Sequence, residues 1–144
     1  WTHTRGSQHV HSADNPFYHC SAALESWVRQ NITADFRDVG IRLALGGPDR
    51  PTAGIHTDET RSWVLQYNLE SAGADLVFWQ ESGQPIVRDG RYCVSDYALV
   101  QAVARVYVPE RRWFLLNARV LHSVEGLTGV RRNLQISLDQ DPGL

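Results

Sequence analysis

Residues 130–138 read Val-Arg-Arg-Asn-Leu-Gln-Ile-Ser-Leu, and this alternation predicts a β-strand with two different faces. One face is mainly apolar and consists of Arg132, Leu134, Ile136 and Leu138. The other face is polar and consists of Arg131, Asn133, Gln135 and Ser137. Because the apolar face of a strand usually points into the core, we expect Arg132 to be buried and Arg131 to face water.

Similar strand-like segments precede this one, with turn residues between them. They are predicted at residues 36–45, 63–69, 74–79, 99–108, 113–117 and 120–124. Residues 80–98 contain several breakers and are predicted to be irregular. Many short strands at regular spacing are typical of a sandwich or barrel, not of a doubly wound sheet. We therefore predict a mainly β fold, a jelly-roll barrel of two facing sheets.

A single segment, Ser21 to Ile32, has the periodicity of a helix. Its apolar stripe consists of Ala23, Leu24, Trp27, Val28 and Ile32. We predict one supporting helix that packs on the outside of a sheet. The chain is accordingly divided into an N-terminal arm and helix (1–35), a barrel core (36–138) and a tail (139–144).

The composition describes one globular domain of 144 residues. A net charge of −2 does not favour a nucleic-acid partner. No apolar run could span a bilayer and no signal-peptide pattern is visible, so we predict no membrane contact and a cytoplasmic location. Cys20 and Cys93 lie far apart and are predicted to be unpaired thiols. The chain has no Met, which we interpret as a trimmed piece, and no Lys, so any buried cation must be Arg.

Residues 54–59, Gly-Ile-His-Thr-Asp-Glu, contain the first candidate metal ligands. His56 and Asp58 are two residues apart, so their side chains share one side of an extended segment. His122, in a later strand-like segment, would be the third ligand. Two histidines and one carboxylate on one face of an ion are typical of non-haem Fe(II) oxygenases. Taken singly, each histidine could be structural and Asp58 could be a turn former, so the hypothesis depends on their convergence.

Four further histidines lie in the N-terminal arm: His3, His9, His11 and His19. A histidine-rich tract can bind metal. No Cys or carboxylate cluster completes a closed site there, so we interpret this segment as a surface arm or an edge of the pocket.

The expected burial of Arg132 needs a counter-ion, because an unpaired charge is costly to bury. A dicarboxylate ligand that reaches from the metal would supply one. A carboxylate of the protein itself is the alternative.

Five segments occur in an order and spacing that resemble a known family. They are Gly-Ile-His-Thr-Asp (54–58), Leu-Gln-Tyr-Asn-Leu (65–69), Gly-Ala-Asp-Leu-Val-Phe (73–78), Leu-Leu-Asn-Ala-Arg-Val-Leu-His-Ser-Val (115–124) and Val-Arg-Arg-Asn-Leu-Gln-Ile-Ser-Leu (130–138). Together they resemble the prolyl-hydroxylase-like branch of the Fe(II)/2-oxoglutarate-dependent oxygenase superfamily. The resemblance covers residues 36–138 and implies a double-stranded β-helix, the cofactor Fe(II), the cosubstrate 2-oxoglutarate and O2. The implied reaction hydroxylates a C–H bond, or demethylates, and releases succinate and CO2.

The resemblance also implies roles for residues of the site. Its ligands would be His56, Asp58 and His122, and Arg132 would bind the 5-carboxylate of 2-oxoglutarate. Members of this branch often place a Tyr before the first turn, where this chain has Ala44-Leu45-Gly46-Gly47. The second contact to 2-oxoglutarate, which that Tyr would make, would then come from Tyr67 or Gln66.

The substrate is expected near residues 80–98, since long irregular connections often carry function. Candidate contacts there are Arg88, Arg91 and Tyr92. Asn117, just ahead of His122, would orient the site or form a turn. An amino acid, a peptidyl residue and a small metabolite all stay open as substrates, and the oligomeric state is undetermined. Two alternatives use the same barrel: a non-catalytic cupin-like binding module, and a 2-oxoglutarate-independent metalloenzyme.

Overall fold

The computed structural model describes residues 2–3, 17–32, 35–46, 52–58, 61–83, 87–88, 91–94 and 96–138. The strands are β1 Thr2–His3, β2 Phe17–His19, β3 Phe36–Leu45, β4 Thr52–His56, β5 Trp63–Glu70, β6 Asp75–Glu81, β7 Val87–Arg88, β8 Arg91–Val94, β9 Val100–Tyr107, β10 Trp113–Asn117, β11 His122–Glu125 and β12 Val130–Leu138. The helix α1 spans Ala22–Asn31, and a short 3-10 helix spans Tyr97–Leu99. Among the described residues, no helix has both the length and the apolar character needed to cross a bilayer.

Two six-stranded antiparallel sheets form the barrel. The first sheet has the order β1-β2-β3-β12-β5-β10, and the second has the order β7-β8-β4-β11-β6-β9. Apart from β1–β3 and β7–β8, which pair in chain order, the chain passes repeatedly from one sheet to the other, so neighbouring strands such as β3 and β12 are distant in sequence. This is the double-stranded β-helix, or jelly roll, and the predicted fold class is confirmed.

Helix α1 covers the outside of the first sheet, as predicted. Its N-cap is Ser21, whose Oγ accepts a hydrogen bond from Leu24 N at 3.3 Å. Val28 is fully buried and packs with Val39 of β3 and with apolar residues of β12. Leu24 and Ile32 of the predicted stripe are partly buried beside Val28, whereas Ala23 and Trp27 are exposed. This packing, rather than intrinsic propensity, holds a helix of 10 residues in place.

The two faces of β12 point in the directions opposite to those predicted. The apolar side, Leu134, Ile136 and Leu138, packs beneath α1 in the cluster around Val28. The polar side faces the barrel interior, where Ser137 lies opposite Val64 and Gln135 lies opposite Gln66 in the register with β5. Val64 in turn packs with Leu76 of the second sheet, which places this face between the sheets.

The predicted burial of Arg132 is therefore wrong. Its guanidinium forms an ion pair with Glu70, and the two side chains are 42% and 47% exposed. Arg131 is the buried arginine, with only 8% of its surface exposed. The physical reason is that an outside helix supplies a second apolar environment, so the apolar face of a strand no longer identifies the barrel interior.

Residues 80–98 also differ from the prediction. They include the end of β6, the short strands β7 and β8, and a 3-10 helix, so this connection is not wholly irregular. At the N-terminus, β1 and β2 extend the first sheet beyond β3, and the predicted arm thus contributes two strands. The thiol of Cys20 is free. The side chain of Cys93 lies outside the described part of the chain, as do those of His3, His9 and His11.

Candidate metal centre

Three side chains from two segments that are distant in sequence converge in the barrel. Strand β4 ends at His56, which pairs with His122 at the start of β11, and Asp58 follows β4 by two residues. The imidazole rings of the two histidines are 4.6 Å apart between centroids. One ligand atom from each of the three residues lies within 4.8 Å of the others. The predicted convergence of His56, Asp58 and His122 is confirmed.

Backbone carbonyls set the tautomer of both histidines. His56 Nδ1 lies 2.7 Å from Gly54 O, and His122 Nδ1 lies 2.8 Å from Val120 O. A carbonyl oxygen can only accept, so each Nδ1 carries the proton and donates it. With the proton on Nδ1, the neutral form of each ring presents the lone pair of Nε2, the arrangement typical of ligating histidines.

The backbone of Asp58 is held by the turn between β10 and β11. Its N–H donates to Ala118 O at 2.8 Å, and its carbonyl accepts from the Arg119 guanidinium at 3.2 Å. Asn117 shapes this turn, because its Oδ1 accepts from Arg119 N at 3.0 Å. Of the two roles left open for Asn117, the turn is the one that the contacts show, and through the turn it also fixes Asp58.

Arg61 is a residue of the site that the sequence argument missed. Its Nε donates to Asp58 Oδ2 at 2.5 Å, while one terminal nitrogen donates to Gln135 Oε1 at 2.9 Å and to Ser137 Oγ at 3.4 Å. The side chain is only 12% exposed. The available signal was its position three residues after Asp58, in a chain that has no lysine to hold a buried carboxylate.

The electrostatics of Asp58 and His122 favour a bound cation. Burial opposes ionisation of Asp58, but the contacts with His56 and Arg61 outweigh it and hold the pKa of the carboxyl well below its usual range. Burial, reinforced by repulsion from His56, lowers the pKa of His122 to about 4. Asp58 is therefore anionic and His122 neutral at physiological pH, which is the protonation state a metal ion needs.

The interior beyond the triad is unusually polar. Gln66, Asn68, Asn133 and Gln135 are all buried there. Both terminal nitrogens of Arg131 lie 3.0 Å from the side-chain amide of Asn133. Among the described residues no carboxylate pairs with Arg131, and burial alone lowers the pKa of Arg131 to about 10, which leaves it charged.

Tyr67 and Gln66, the two candidates for the second contact to 2-oxoglutarate, lie on opposite faces of the first sheet. Gln66 lies inside the barrel, where its Oε1 is 3.2 Å from the side-chain amide of Asn133 and 3.4 Å from Gln135 Nε2. Tyr67 lies opposite Leu134 on the side covered by the helix, with its ring 5.1 Å from that of Trp113. The prediction for Tyr67 is wrong because successive residues of a strand point to opposite faces.

A cleft of about 670 Å³ opens beside the triad. It is lined by Thr57, which lies between two of the ligand residues, and by Trp79, Glu81, Arg119 and Leu121 among others. Gln80, Glu81 and Gly83, at the start of the segment predicted to contact substrate, contribute to it. The side chains of Arg88, Arg91 and Tyr92 lie outside the described part of the chain.

The chemistry of the donor set fits a divalent transition metal. Two imidazole nitrogens and one carboxylate oxygen occupy one face of an ion and leave its other face for exogenous ligands. A closed structural zinc site would need a fourth protein ligand, and the described residues gather three. The arrangement is thus suited to binding and activating a small molecule on the metal.

Comparison with known proteins supports the fold. No protein-family model matches the sequence, and no curated protein matches it. The X-ray structure of E. coli ycfD is similar with a TM-score of 0.50 at 12% identity, over 99% of this chain and 39% of that chain. Hydroquinone 1,2-dioxygenase PnpCD, in complex with Cd2+ and 4-hydroxybenzonitrile, gives 0.45 at 14% identity, over 72% of this chain and 58% of that one.

A cupin superfamily protein from Desulfitobacterium hafniense gives a TM-score of 0.44 at 11% identity, over 92% of this chain and 84% of that one. The chain therefore spans well under two thirds of ycfD and of the dioxygenase. At such identities the likeness concerns the fold alone.

Proposed function

We propose that this protein is an Fe(II)- and 2-oxoglutarate-dependent oxygenase that hydroxylates, or thereby demethylates, a C–H bond of an amino acid, a peptidyl residue or a small metabolite. The observation that carries the proposal is the convergence of one ligand atom from each of His56, His122 and Asp58, with both histidines held by backbone carbonyls at Nδ1. This donor set suits Fe(II) and leaves coordination positions for other ligands. A cupin-like binding module or another metalloenzyme could use the same three residues, so the choice depends on what else lies inside the barrel.

Arg131 favours 2-oxoglutarate as the second ligand. It is a buried guanidinium on the interior face of β12 with no carboxylate partner among the described residues. A planar guanidinium binds a carboxylate through two parallel hydrogen bonds, and the 5-carboxylate of 2-oxoglutarate would supply that group. Arg131 thus takes the role that the sequence argument gave to Arg132. A metal-binding module without a keto-acid cosubstrate would have no use for a buried unpaired cation.

The chain's own residues hold and orient the reactants. His56 and His122 present Nε2 because the carbonyls of Gly54 and Val120 fix the Nδ1 protons. Asp58 adds the negative charge that offsets a divalent cation. When bound, iron, 2-oxoglutarate and O2 supply the oxidation, in which one oxygen atom enters the substrate as hydroxyl and the other leaves in succinate, with release of CO2.

The cleft beside Thr57 is the proposed route for the substrate. Its lining includes an aromatic ring, the Glu81 carboxylate and the Arg119 guanidinium. Both charge signs at the entrance favour a small polar molecule or a peptide side chain over a polyanion such as nucleic acid.

Anaerobic titration tests the proposal directly. Fe(II) is added to metal-free protein, followed by 2-oxoglutarate, and the visible metal-to-ligand charge-transfer absorption of the chelate is recorded. We expect the band only when both are present, and succinate formation when O2 is then admitted. His122→Ala should show neither, because one of three ligands is lost, while Arg132→Met should behave as wild type.

A protein that binds Fe(II) but shows no band with 2-oxoglutarate would support the binding module or the 2-oxoglutarate-independent metalloenzyme instead. A protein that binds no metal, although folded, would contradict all three readings of the site.

A further inference from the structure

The cleft beside the metal ligands brings together charges of opposite sign. Thr57 forms part of its wall and lies between the ligands His56 and Asp58. Glu81 and Arg119 line the cleft from two other segments of the chain. Its volume of about 670 Å³ lies within the range of about 300–1,000 Å³ that is usual for small-molecule sites. A small molecule bound there would lie next to the metal centre and meet both charges.

The carboxylate of Glu81 is available to a ligand. Glu81 is the last residue of β6, and its side chain is only partly exposed. Among the described residues, no cation and no hydrogen-bond donor contacts this carboxylate, and Arg119 does not form an ion pair with it. A carboxylate that lines a cleft without a protein partner can accept charge-assisted hydrogen bonds from a cationic group of a ligand.

The guanidinium of Arg119 is anchored near the metal but keeps donors for a ligand. Its Nη1 donates to Asp58 O at 3.2 Å, and the backbone N–H of Arg119 donates to Asn117 Oδ1 at 3.0 Å. In the part of the chain that the structure describes, no carboxylate pairs with this guanidinium. A guanidinium has five N–H donors in a planar fork, so the single bond to Asp58 O leaves donors that can bind a carboxylate.

Trp79 supplies a fixed aromatic wall on the side of Glu81. Its Nε1 donates to Ser123 Oγ at 2.9 Å, and Ser123 Oγ donates in turn to Glu125 Oε1 at 2.6 Å. The indole also makes an edge-on contact with the ring of Tyr97, at 5.3 Å between centroids and 87° between planes. Because Nε1 is engaged, the part of the indole that lines the cleft offers only ring carbon, which attracts a cation. Glu81 lies two residues further along β6, so both side chains share one side of the strand.

The two unlike charges fit one class of ligand better than the others. A polyanion would be repelled by Glu81, and a polycation would be repelled by Arg119. A residue within a peptide has neutral amides on both sides, so it would cover both charges without pairing either, which costs free energy. A free α-amino acid carries an ammonium and a carboxylate on one carbon atom and can pair with both.

We infer that the cleft binds a free α-amino acid as the substrate, with its ammonium group at Glu81 and Trp79 and its carboxylate at Arg119. The inference rests on the proposed function, because the amino acid is the molecule that would be oxidised. With both charges held, the side chain of the amino acid is the part left to reach the metal. One of its C–H bonds becomes C–OH with one oxygen atom of O2, while the other oxygen atom leaves in succinate, with release of CO2.

Capped amino acids test the two charges separately on the wild-type protein. The protein is loaded with Co(II) and 2-oxoglutarate under anaerobic conditions, and the common L-amino acids are titrated one at a time by calorimetry. The one that binds most tightly is compared with its N-acetyl form, which lacks the ammonium, and with its carboxamide, which lacks the carboxylate. The form with both caps represents a peptidyl residue.

Each single cap should weaken binding by about tenfold or more, since hydrogen bonds between charged groups are stronger than those between neutral ones. The form with both caps should bind most weakly of the four, because it leaves both protein charges without a partner. These measurements need no variant protein, so they decide the class of ligand even if a substitution in the cleft prevents folding.

Substitutions then assign each charge of the ligand to a residue. Glu81→Gln should bind the free amino acid about tenfold more weakly and no longer distinguish it from the N-acetyl form, while it still rejects the carboxamide. Arg119→Gln should show the reverse pattern, and Arg119→Lys, which keeps the charge, should restore part of the preference for a carboxylate. Asp75→Asn is the matched control, because Asp75 lies in the same strand as Glu81 but pairs with Arg105. It should change none of these affinities.

Three results would overturn the inference. The first is equal or tighter binding of the form with both caps, which would favour a peptidyl residue. The second is a loss in Glu81→Gln that is the same for all four forms, because a general change of the cleft would explain it. The third is a protein that binds 2-oxoglutarate but none of the amino acids, and this result leaves the proposed function standing.

Failure of the proposed function gives a different result. The wild-type protein would then bind Co(II) but not 2-oxoglutarate. The same amino acids and their capped forms, titrated into the protein loaded with Co(II) alone, would still decide which class of ligand the cleft binds.

Discussion

The two faces of β12 lie in environments that differ in almost every physical respect. On the side beneath α1, Ile136 and Leu138 are fully buried among other apolar side chains. On the side within the barrel, Arg131 and Gln135 are also buried, but among amides and a guanidinium. Burial alone therefore does not separate the faces. What separates them is the chemistry of their neighbours, because one face meets apolar side chains of α1 and the other meets polar side chains between the sheets.

The difference shows where this fold places its stabilising contacts. An apolar cluster excludes water and stabilises in proportion to its buried area. A buried polar network contributes little net stability, since each group gives up hydrogen bonds to water. The covered face therefore stabilises the barrel, the interior face is the one that we propose binds the ligand, and substitutions one residue apart should affect different properties.

The largest expected effect comes from replacing Arg131, with the same replacement at the neighbouring Arg132 as the comparison. Arg131→Met removes the buried guanidinium and should weaken 2-oxoglutarate binding by about 30- to 5,000-fold, since breaking a buried charge pair costs about 2–5 kcal/mol. Its free energy of unfolding should be unchanged or higher, because an unpaired buried charge disappears. Arg132→Met, one residue along, should leave ligand binding as it is. Anaerobic titration of both variants makes the comparison, and equal losses in the two would contradict the assignment of faces.

Truncation of a side chain on the covered face should lower the stability of the protein and leave metal binding unchanged. Ile136→Ala leaves a cavity beneath α1 and should lower the free energy of unfolding by about 2–5 kcal/mol, while Ile136→Val should lower it by about 0.5–1.5 kcal/mol. Urea denaturation of both variants measures the series. Metal affinity of the folded fraction should not change, and a selective loss of metal binding in Ile136→Ala would break the division of roles.

Lowering the pH should reduce the stability of the protein through His122 and Asp58, and not through the apolar side chains beneath α1. The pKa of His122 is lowered to about 4 from an ordinary value of 6.5, so the unfolded chain takes up a proton before the native protein does. In metal-free protein, stability should fall as the pH drops from about 6.5 to about 4, by no more than about 3 kcal/mol from this group. The contribution of Asp58 is lost only below its unfolded value of about 4.

Denaturation curves at several pH values in the presence of a chelator measure this dependence. His122→Gln, which cannot titrate, should show a flatter profile between those limits. Ile136→Val should shift the whole profile without changing its slope, and an unaltered slope in His122→Gln would show that His122 does not titrate as described.

The smallest expected effect is at the exposed ion pair. Glu70→Gln removes the partner of Arg132, where both side chains are more than 40% exposed, and should change the free energy of unfolding by less than about 1 kcal/mol. The remaining effect should shrink in added salt. A larger loss, measured by the same denaturation assay, would mean that Arg132 is more than a solvent-screened surface residue.

Much of the fold was determined by the sequence, because its signals are local. The alternation in Val130–Leu138 and the stripe from Ser21 to Ile32 each depend on neighbours a few residues away. The proximity of His56 and Asp58 could be predicted for the same reason, since residues two positions apart in an extended chain lie on the same side. The resemblance then linked His122 to them.

Three features were decided only by the tertiary structure. The sequence of an alternating strand defines two faces but does not indicate which one a helix will cover. The predicted environments of Arg131 and Arg132 were therefore the reverse of those in the structure. The contact of Arg61 with Gln135 joins residues 74 positions apart, a distance at which no local pattern operates. Tyr67 and Gln66 were separated by the same choice of face. Sequence periodicity fixes how side chains alternate, whereas the packing of α1 against one sheet fixes what each face meets.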